Sequence, residues 1–193
     1  MDVDPNHRKR VKHFHDAGDL HELTFSCNER AALLPLYDWF QVLARRIERA
    51  CEICQVELYA FVLMPEHVHL LVGGIIDEEH VSRLLFAIKQ PFSMHVKRFL
   101  RKHNPAMLKQ LTVQERPGKF VFRFWLEGPG YDRNLNEGEE IESAIAYFHR
   151  NPVERELCAA AIDWKWSSAR YYLCDEIDPG LPKITQLSFQ HFD

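Results

Sequence analysis

The sequence predicts an α+β fold of the ferredoxin-like type, in which a β-α-β-β-α-β chain forms an antiparallel sheet covered by two helices. Two observations predict it. Strand patterns and long helical patterns follow one another in this order between residues 21 and 125. The second and third strand patterns are separated by only two residues, which indicates a hairpin. No internal repeat or low-complexity tract interrupts the order.

Three strand patterns lie in the first part of the chain. Apolar side chains alternate with polar ones over 21–26, which predicts the first strand. Two nearly continuous apolar runs, 56–64 and 67–75, predict the second and third. The pair Pro65-Glu66 between them predicts a tight reversal.

Two long helices alternate with these strands. Apolar residues recur at helical spacing over 34–55, which predicts the first helix. The second is expected over 77–90, where acidic residues at its start suit the helix dipole. We expect Pro91 to kink or interrupt this helix and 92–103 to resume it.

The fourth strand is predicted over 119–125, where alternate phenylalanines share one face. A polar loop, 104–118, is expected before it, and a loop rich in Gly and Pro, 127–131, after it.

A further helix is predicted after that loop. Asn136 is a candidate N-cap, with Glu139 completing a capping box. Tyr147 and Asn151 are four residues apart and so share one side of this helix, and Pro152 predicts that it ends at Asn151. Its apolar face consists of Ile141, Ala144, Ile145 and Phe148.

His67 and His69 begin the third predicted strand. Residues two apart in a strand point to the same side, so the two imidazoles should converge as half of a metal site. The alternative is a pair of partly buried histidines bonded to their neighbours. A second His-x-His, at His13 and His15, has no strand pattern around it and is more typical of a solvated segment.

These motifs together resemble the single-tyrosine HUH transposases, and within them the REP-associated tyrosine transposases related to IS200/IS605. The resemblance spans roughly residues 8–172. It is carried by Met-Pro-x-His-Val-His-Leu-Leu-Val, Phe124-Trp125, Tyr131-Asp132-Arg133, Tyr147-x-x-x-Asn151-Pro152-Val153 and Trp166-Ser167-Ser168. Glu66 is a departure, because the family often has Asn there.

The resemblance implies the same fold with the tyrosine-bearing helix added after the fourth strand. It implies that Tyr147 is the catalytic nucleophile, and that His67, His69 and Asn151 bind a divalent metal. We expect Mg²⁺ or Mn²⁺, with the two imidazoles favouring Mn²⁺. Glu66 adds a carboxylate beside this site, which either changes the metal preference or has no effect on it.

The net charge of −4 does not by itself indicate a nucleic-acid-binding protein, but basic residues are clustered in two places. A solvated surface is the alternative reading of both clusters. The DNA-binding candidates are Arg8, Lys9, Arg10, Lys12, Lys89, Lys97, Arg98, Arg101, Lys102 and Trp125. Further aromatic candidates for stacking unpaired bases are Tyr131, Trp164, Trp166, Tyr171 and Tyr172, with core packing as the alternative.

The length predicts one domain, or one domain with a tail. With the resemblance, we expect a basic N-terminal segment at 1–20, an HUH transposase domain at 21–172 and a C-terminal tail at 173–193. The five cysteines are expected to be free thiols, since their number is odd and no secretion signal is present. No apolar run has the length needed to cross a membrane, so we expect no membrane partner and a cytoplasmic location.

The expected function is therefore a metal-dependent single-stranded DNA endonuclease and strand transferase that acts at DNA hairpins through a 5′-phosphotyrosine intermediate. The expected partner is single-stranded or hairpin DNA, and the protein is expected to be a monomer or a homodimer. One rival is a non-catalytic module that binds hairpin nucleic acid. The other is a metallohydrolase that uses a metal-bound water and does not need Tyr147.

Overall fold

The computed structural model describes residues 19–128 and 130–187, and its centre is a four-stranded antiparallel sheet. Helices cover both faces of this sheet, and a two-stranded hairpin lies apart from it. The elements are β1 Leu20–Ser26, α1 Trp39–Cys54, β2 Glu57–Leu63, β3 His67–Gly73, α2 Glu78–His103, α3 Pro105–Gln110, β4 Thr112–Arg116, β5 Lys119–Phe122, β6 Tyr131–Leu135, α4 Gly138–Glu154 and α5 Ala169–Cys174.

The main sheet has the strand order β2-β3-β1-β6, and each neighbouring pair is antiparallel. With β6 as the fourth strand, the order along the chain is β-α-β-β-α-β, which confirms the predicted fold class. The hairpin of β2 and β3 is also confirmed.

The predicted identity of the fourth strand is wrong. Residues 119–122 pair with β4 in the separate hairpin, and β4 itself lies in the expected loop 104–118, together with α3. The sheet is completed by β6, a polar segment with a weak hydrophobic pattern. Among the strands that the structure describes, it lies at the edge of the sheet and pairs with β1 alone.

Alternation along β3 assigns its side chains to two separate cores. Val68 and Leu70 point to the face covered by α1 and α2, where the larger core lies. Leu71 points to the opposite face, which is covered by α4. His67 and His69 belong to this second face by the same alternation, so they point toward the helix that carries Tyr147.

Two predicted helix boundaries differ from the structure. The first helix starts at Trp39 and not at residue 34, because Pro35 disfavours helical geometry before it and Tyr37 has a left-handed φ of 54°. The second continues through Pro91 without the predicted interruption. Its buried stripe runs unbroken through both halves. Burial on this scale offsets the cost of a proline inside a helix, about 3 kcal/mol, which comes from the lost hydrogen bond and the clash of the ring with the preceding turn. The stripe consists of Leu84, Ile88, Phe92, Val96 and Leu100.

The tyrosine-bearing helix also differs at both ends. Glu137 and not Asn136 occupies the N-cap, without a side-chain cap bond, so the predicted capping box is wrong. The helix passes through Asn151 and Pro152 and ends at Glu154. Because Pro152 lies only two residues before that end, it disrupts a single turn.

The segment that contains Trp166 and Ser168 pairs with the free edge of β2. Leu63 N–H donates to Trp166 O, and Ser168 N–H donates to Phe61 O. Part of the predicted tail also packs on the domain, since Thr185 N–H donates to Leu58 O. The C-terminal segment therefore protects an edge that would otherwise expose unpaired backbone groups.

Candidate active site

His67 and His69 lie on adjacent inward positions at the start of β3, and their side chains converge as predicted. His67 Nε2 and His69 Nε2 are 2.9 Å apart. The ring planes are nearly perpendicular, at 88°. The same two nitrogens therefore point toward one common volume.

A second interaction fixes the orientation of each ring. His67 Nδ1 lies 3.1 Å from Glu66 Oε1, and His69 Nδ1 lies 2.7 Å from Thr24 Oγ1. When both Nδ1 atoms carry the proton and donate to these oxygens, both Nε2 lone pairs are available to bind an ion. Partners of this kind set the tautomer and the direction of metal-binding histidines.

Burial keeps both imidazoles neutral. It lowers the pKa of His69 to about 3, with the neighbouring His67 adding to the effect. Burial also lowers the pKa of His67, although the Glu66 carboxylate opposes this shift and Arg155 and Arg30 add to it. Neutral imidazoles are the form that binds metal ions.

The helix α4 brings Asn151 and Tyr147 to the same volume. Asn151 is buried, and its Nδ2 lies 3.4 Å from His69 Nε2. Rotation of this amide by half a turn directs Oδ1 at the same point. The Tyr147 ring centroid is 5.5 Å from that of His69, and this side chain is 40% exposed, so its phenol is open to solvent and substrate.

Charged residues that the sequence did not single out complete the walls of a cavity of about 350 Å³. Arg30 follows β1, and Glu154 and Arg155 end α4. Arg155 Nη1 lies 2.8 Å from Glu66 Oε1, so this ion pair joins the tyrosine helix to the turn before the histidines. No local pattern could have revealed this contact, because its partners are far apart in the chain.

The donor set fits a divalent cation. When two nitrogens bind one ion at about 2.1 Å and the angle between the two bonds is the right angle of octahedral coordination, the nitrogens lie about 3 Å apart. The two Nε2 atoms are 2.9 Å apart, which is close to this distance. Within residues 19–128 and 130–187, no three His, Cys, Asp or Glu side chains cluster as a metal site. The amide of Asn151 lies beside the two imidazoles as a candidate third donor, which would leave other coordination positions for oxygen ligands.

The family model described as "Transposase IS200 like" matches residues 20–116. The chain belongs to the IS200-like transposase family. The match covers β3, the strand that carries the histidine pair. As a member of this family, the chain is a transposase, an enzyme of a class that cleaves DNA.

Two relatives extend the comparison beyond residue 116. A protein of Haemophilus influenzae that bears the provisional name REP-associated tyrosine transposase is 22% identical over 144 residues, covering 75% of this chain and 76% of its own. A solved structure of a REP-associated tyrosine transposase bound to a REP hairpin is 18% identical, with a TM-score of 0.63. The superposition covers 94% of this chain and 95% of that one, so the two share a fold.

The DNA-binding candidates of the transposase differ in how exposed their side chains are. The exposed ones, Lys97, Arg98, Arg101 and Lys102, lie on the second half of α2. Lys89 is half-buried on the same helix. Arg8, Lys9, Arg10 and Lys12 lie outside the described residues.

Trp125 does not suit the predicted stacking of bases. It is 7% exposed, and its ring packs against Phe25 and Phe92. Its indole N–H donates to Lys89 O at 3.3 Å. The ring therefore has no free face, and we correct this prediction to core packing.

Of the remaining aromatic candidates for base stacking, some pack inside the domain and others are partly exposed. Trp166 stacks on Phe40, and Trp164 donates its indole N–H to Leu63 O at 3.0 Å, so both attach the C-terminal segment. Tyr172 donates to Tyr59 O and also packs inward. Tyr171 is half-buried, and Tyr131 is 54% exposed beside the candidate active site.

The five cysteines are free thiols, as predicted. Burial raises the pKa of Cys27 and of Cys51 to about 12, so neither is a reactive thiolate near neutral pH. Among the residues that the structure describes, no helix combines the length and the hydrophobicity needed to cross a membrane.

Proposed function

We propose that the protein is a metal-dependent single-stranded DNA endonuclease and strand transferase that acts through a 5′-phosphotyrosine at Tyr147. The observation that carries the proposal is the convergence of His67, His69, Asn151 and Tyr147 in one cavity. This reaction needs a nucleophile that the substrate can reach, which the exposed Tyr147 supplies. It also needs a metal ion that polarises the phosphate, which the two neutral imidazoles and the Asn151 amide would hold.

His67, His69 and Asn151 would hold Mg²⁺ or Mn²⁺, and the two nitrogen donors favour Mn²⁺. When bound, the ion supplies positive charge that polarises the scissile phosphodiester. The protein contributes a preorganised site, because Thr24 and Glu66 already direct both Nε2 atoms.

Tyr147 supplies the nucleophile. Its phenol oxygen forms a bond to the scissile phosphorus while the bond from phosphorus to the 3′ oxygen breaks. The phenol loses its proton and the departing 3′ oxygen gains one, which leaves a free 3′-hydroxyl. Tyrosine has an ordinary pKa of about 10, so this step needs help with proton removal. The phosphotyrosine conserves the phosphodiester bond, so a 3′-hydroxyl can reverse the reaction without ATP.

The substrate would be hairpin DNA with an unpaired cleavage segment. The structural relative bound to a REP hairpin supports this expectation. Because Tyr147 lies beside the histidines of its own chain, the geometry favours a monomer that works in cis over a dimer that exchanges its tyrosine helices.

A cleavage assay on single-stranded and hairpin DNA, with Mn²⁺ or with a chelator, tests the proposal. We expect metal-dependent cutting and an adduct whose mass equals the protein plus the 3′ cleavage fragment. Tyr147→Phe should abolish both but preserve DNA binding, because it removes one hydroxyl. Tyr171→Phe, a tyrosine outside the cavity, is the matched control and should cut normally.

The rivals give different results in the same assay. Cutting by Tyr147→Phe without an adduct would indicate hydrolysis by water and overturn the tyrosine mechanism. Binding without cutting under every metal condition would indicate a non-catalytic module. Loss of cutting in His67→Ala, with the fold preserved, is expected from the loss of metal binding.

A further inference from the structure

The tyrosine-bearing helix α4 packs on the sheet through an apolar face. The buried residues of this face share a core with β2 and β3, and they are Ile141, Ala144, Ile145 and Phe148. Apolar burial has no preferred direction, so it holds the helix against the sheet without fixing its rotation or its position along its own axis. The proposed reaction needs both to be fixed, because Tyr147 and Asn151 must face the histidine pair at the same time.

Two polar contacts on different sides of α4 supply this direction. His149 Nε2 lies 2.9 Å from Ser168 Oγ, in the segment that pairs with β2. Arg155 Nη1 lies 2.8 Å from Glu66 Oε1, in the turn before β3. At 3.6 residues per turn, positions 149 and 155 are about 120° apart around the helix axis. A rotation of α4 would therefore break at least one of these contacts.

The backbone fixes Arg155 relative to Asn151. Arg155 N–H donates to Asn151 O at 3.0 Å, and Leu157 N–H donates to Pro152 O at 2.9 Å. Between them, Glu156 ends the helix with a left-handed φ of 56°. Arg155 thus belongs to the same closed turn as Asn151, so the position of its side chain is coupled to that of the candidate metal ligand.

Glu66 connects this turn to the histidine pair. Its Oε1 contacts both Arg155 Nη1 and His67 Nδ1, and the side chain is largely buried. Its backbone is also fixed, because Glu66 O accepts from Cys27 N–H at 2.7 Å. A buried carboxylate that loses its cationic partner is strongly destabilised. Glu66 therefore keeps both partners only when α4 has its observed position.

We infer that Arg155 is a positioning residue for Tyr147, because its ion pair with Glu66 sets the rotation and the axial position of α4 over the histidine pair. For this role Arg155 touches neither the DNA nor the metal. The inference rests on the proposed function, since it names a determinant of the geometry of the same centre.

The rate of formation of the Tyr147 adduct in a single turnover, with Mn²⁺ and the hairpin DNA that the wild type cuts both saturating, tests the inference. Arg155→Met removes the charge but keeps a long side chain, and it should slow this step about 10- to 100-fold. Arg155→Lys restores a cation and should recover most of the rate. Arg150→Met is the matched control, because the ion pair of Arg150 with Glu154, at 3.5 Å, stays within α4. It should react at the wild-type rate.

Glu66→Gln separates positioning from a direct phosphate contact. It removes the charge that Arg155 binds but keeps an oxygen for His67 Nδ1–H. It should slow the step as Arg155→Met does, and the double variant should be no slower than either single one, because both remove the same contact. Losses that multiply in the double variant would overturn the inference. So would a loss confined to DNA affinity with a smaller salt slope, which would make Arg155 a phosphate contact.

A spectroscopic readout requires neither metal nor cleavage. With fluorotyrosine in place of the tyrosines, ¹⁹F NMR in a chelator reports on the ring of Tyr147, whose centroid lies 5.5 Å from that of His69. Tyr147→Phe identifies its signal. Arg155→Met should shift or broaden this signal, and Arg150→Met should leave it unchanged. A wild-type signal in Arg155→Met would show that the ion pair does not position the helix.

Failure of the positioning role and failure of the proposed function have different readouts. If the wild type forms no adduct under any metal condition, the proposed function is wrong, and the ¹⁹F signal still decides whether Arg155 positions α4. If Arg155→Met forms the adduct at the wild-type rate, only the positioning role is wrong.

Discussion

Glu66 provides a sharp test of how the metal site is organised. Its carboxylate lies 3.1 Å from His67 Nδ1 and 2.8 Å from Arg155 Nη1, in a largely buried position. Glu66→Ala removes the acceptor that orients His67 and leaves Arg155 without its partner. Removing the group that orients a metal-bound histidine weakens metal binding by about 10- to 100-fold, equal to about 1.4–2.7 kcal/mol.

Two further variants separate orientation from charge. Glu66→Gln keeps an oxygen that accepts the His67 Nδ1–H bond, so its loss should stay below about tenfold. Glu154→Gln removes one negative charge from the same cavity without a bond to either histidine. We expect Glu154→Gln to bind Mn²⁺ within about twofold of wild type.

Calorimetric titration with Mn²⁺, at fixed pH and ionic strength, measures all three variants. The expected order of affinity is wild type and Glu154→Gln, then Glu66→Gln, then Glu66→Ala. Wild-type affinity in Glu66→Ala would refute the orienting role. An equal loss in Glu154→Gln and Glu66→Ala would show that cavity charge, and not the orientation of His67, controls binding.

Three further predictions concern stability. Burial lowers the pKa of His149 to about 4, so below pH 6.5 this histidine binds a proton more readily in the unfolded chain than in the folded one. The free energy of unfolding should therefore be unaffected by His149 above pH 6.5 and should fall by about 3 kcal/mol between pH 6.5 and pH 4. His149→Gln should flatten this part of a pH series of chemical denaturation curves. Ser168→Ala should cost about 2 kcal/mol, because Phe61 N–H loses the Oγ acceptor 3.0 Å away; an unchanged denaturation midpoint would contradict this. Gly130→Ala should cost more than about 2 kcal/mol in the same assay, since its φ is 91° and a Cβ would overlap the carbonyl of Thr24. Gly128→Ala, with φ of 105° but open space, is the control, and an equal loss in both would show that the overlap is unimportant.

Local periodicity was enough to predict the core of the candidate site. The two-residue repeat of a strand placed His67 and His69 on one side, and the helical repeat placed Tyr147 beside Asn151. Both relations are fixed by backbone geometry within a few residues. The hairpin of β2 and β3 was predictable for the same reason, since only two residues separate its strand patterns.

The errors lie where long-range contacts outweigh local preference. Pro91 and Pro152 disfavour helix locally, yet packed faces carry α2 and α4 past them. The phenylalanines of 119–125 gave a stronger strand pattern than β6, whose place in the sheet depends on pairing with β1 more than 100 residues earlier.

By itself the sequence determined the fold class, the family and the groups available for chemistry, because these depend on local patterns and residue types. Tertiary structure alone decided the surroundings of those groups: the bond from Thr24 to His69, the pair of Glu66 with Arg155, and the burial of Trp125. Each of these joins segments distant in the chain. Hydrogen bonding and desolvation depend on which atoms lie close together in the folded chain. The periodicity of a single segment does not reveal which distant segment will pack against it.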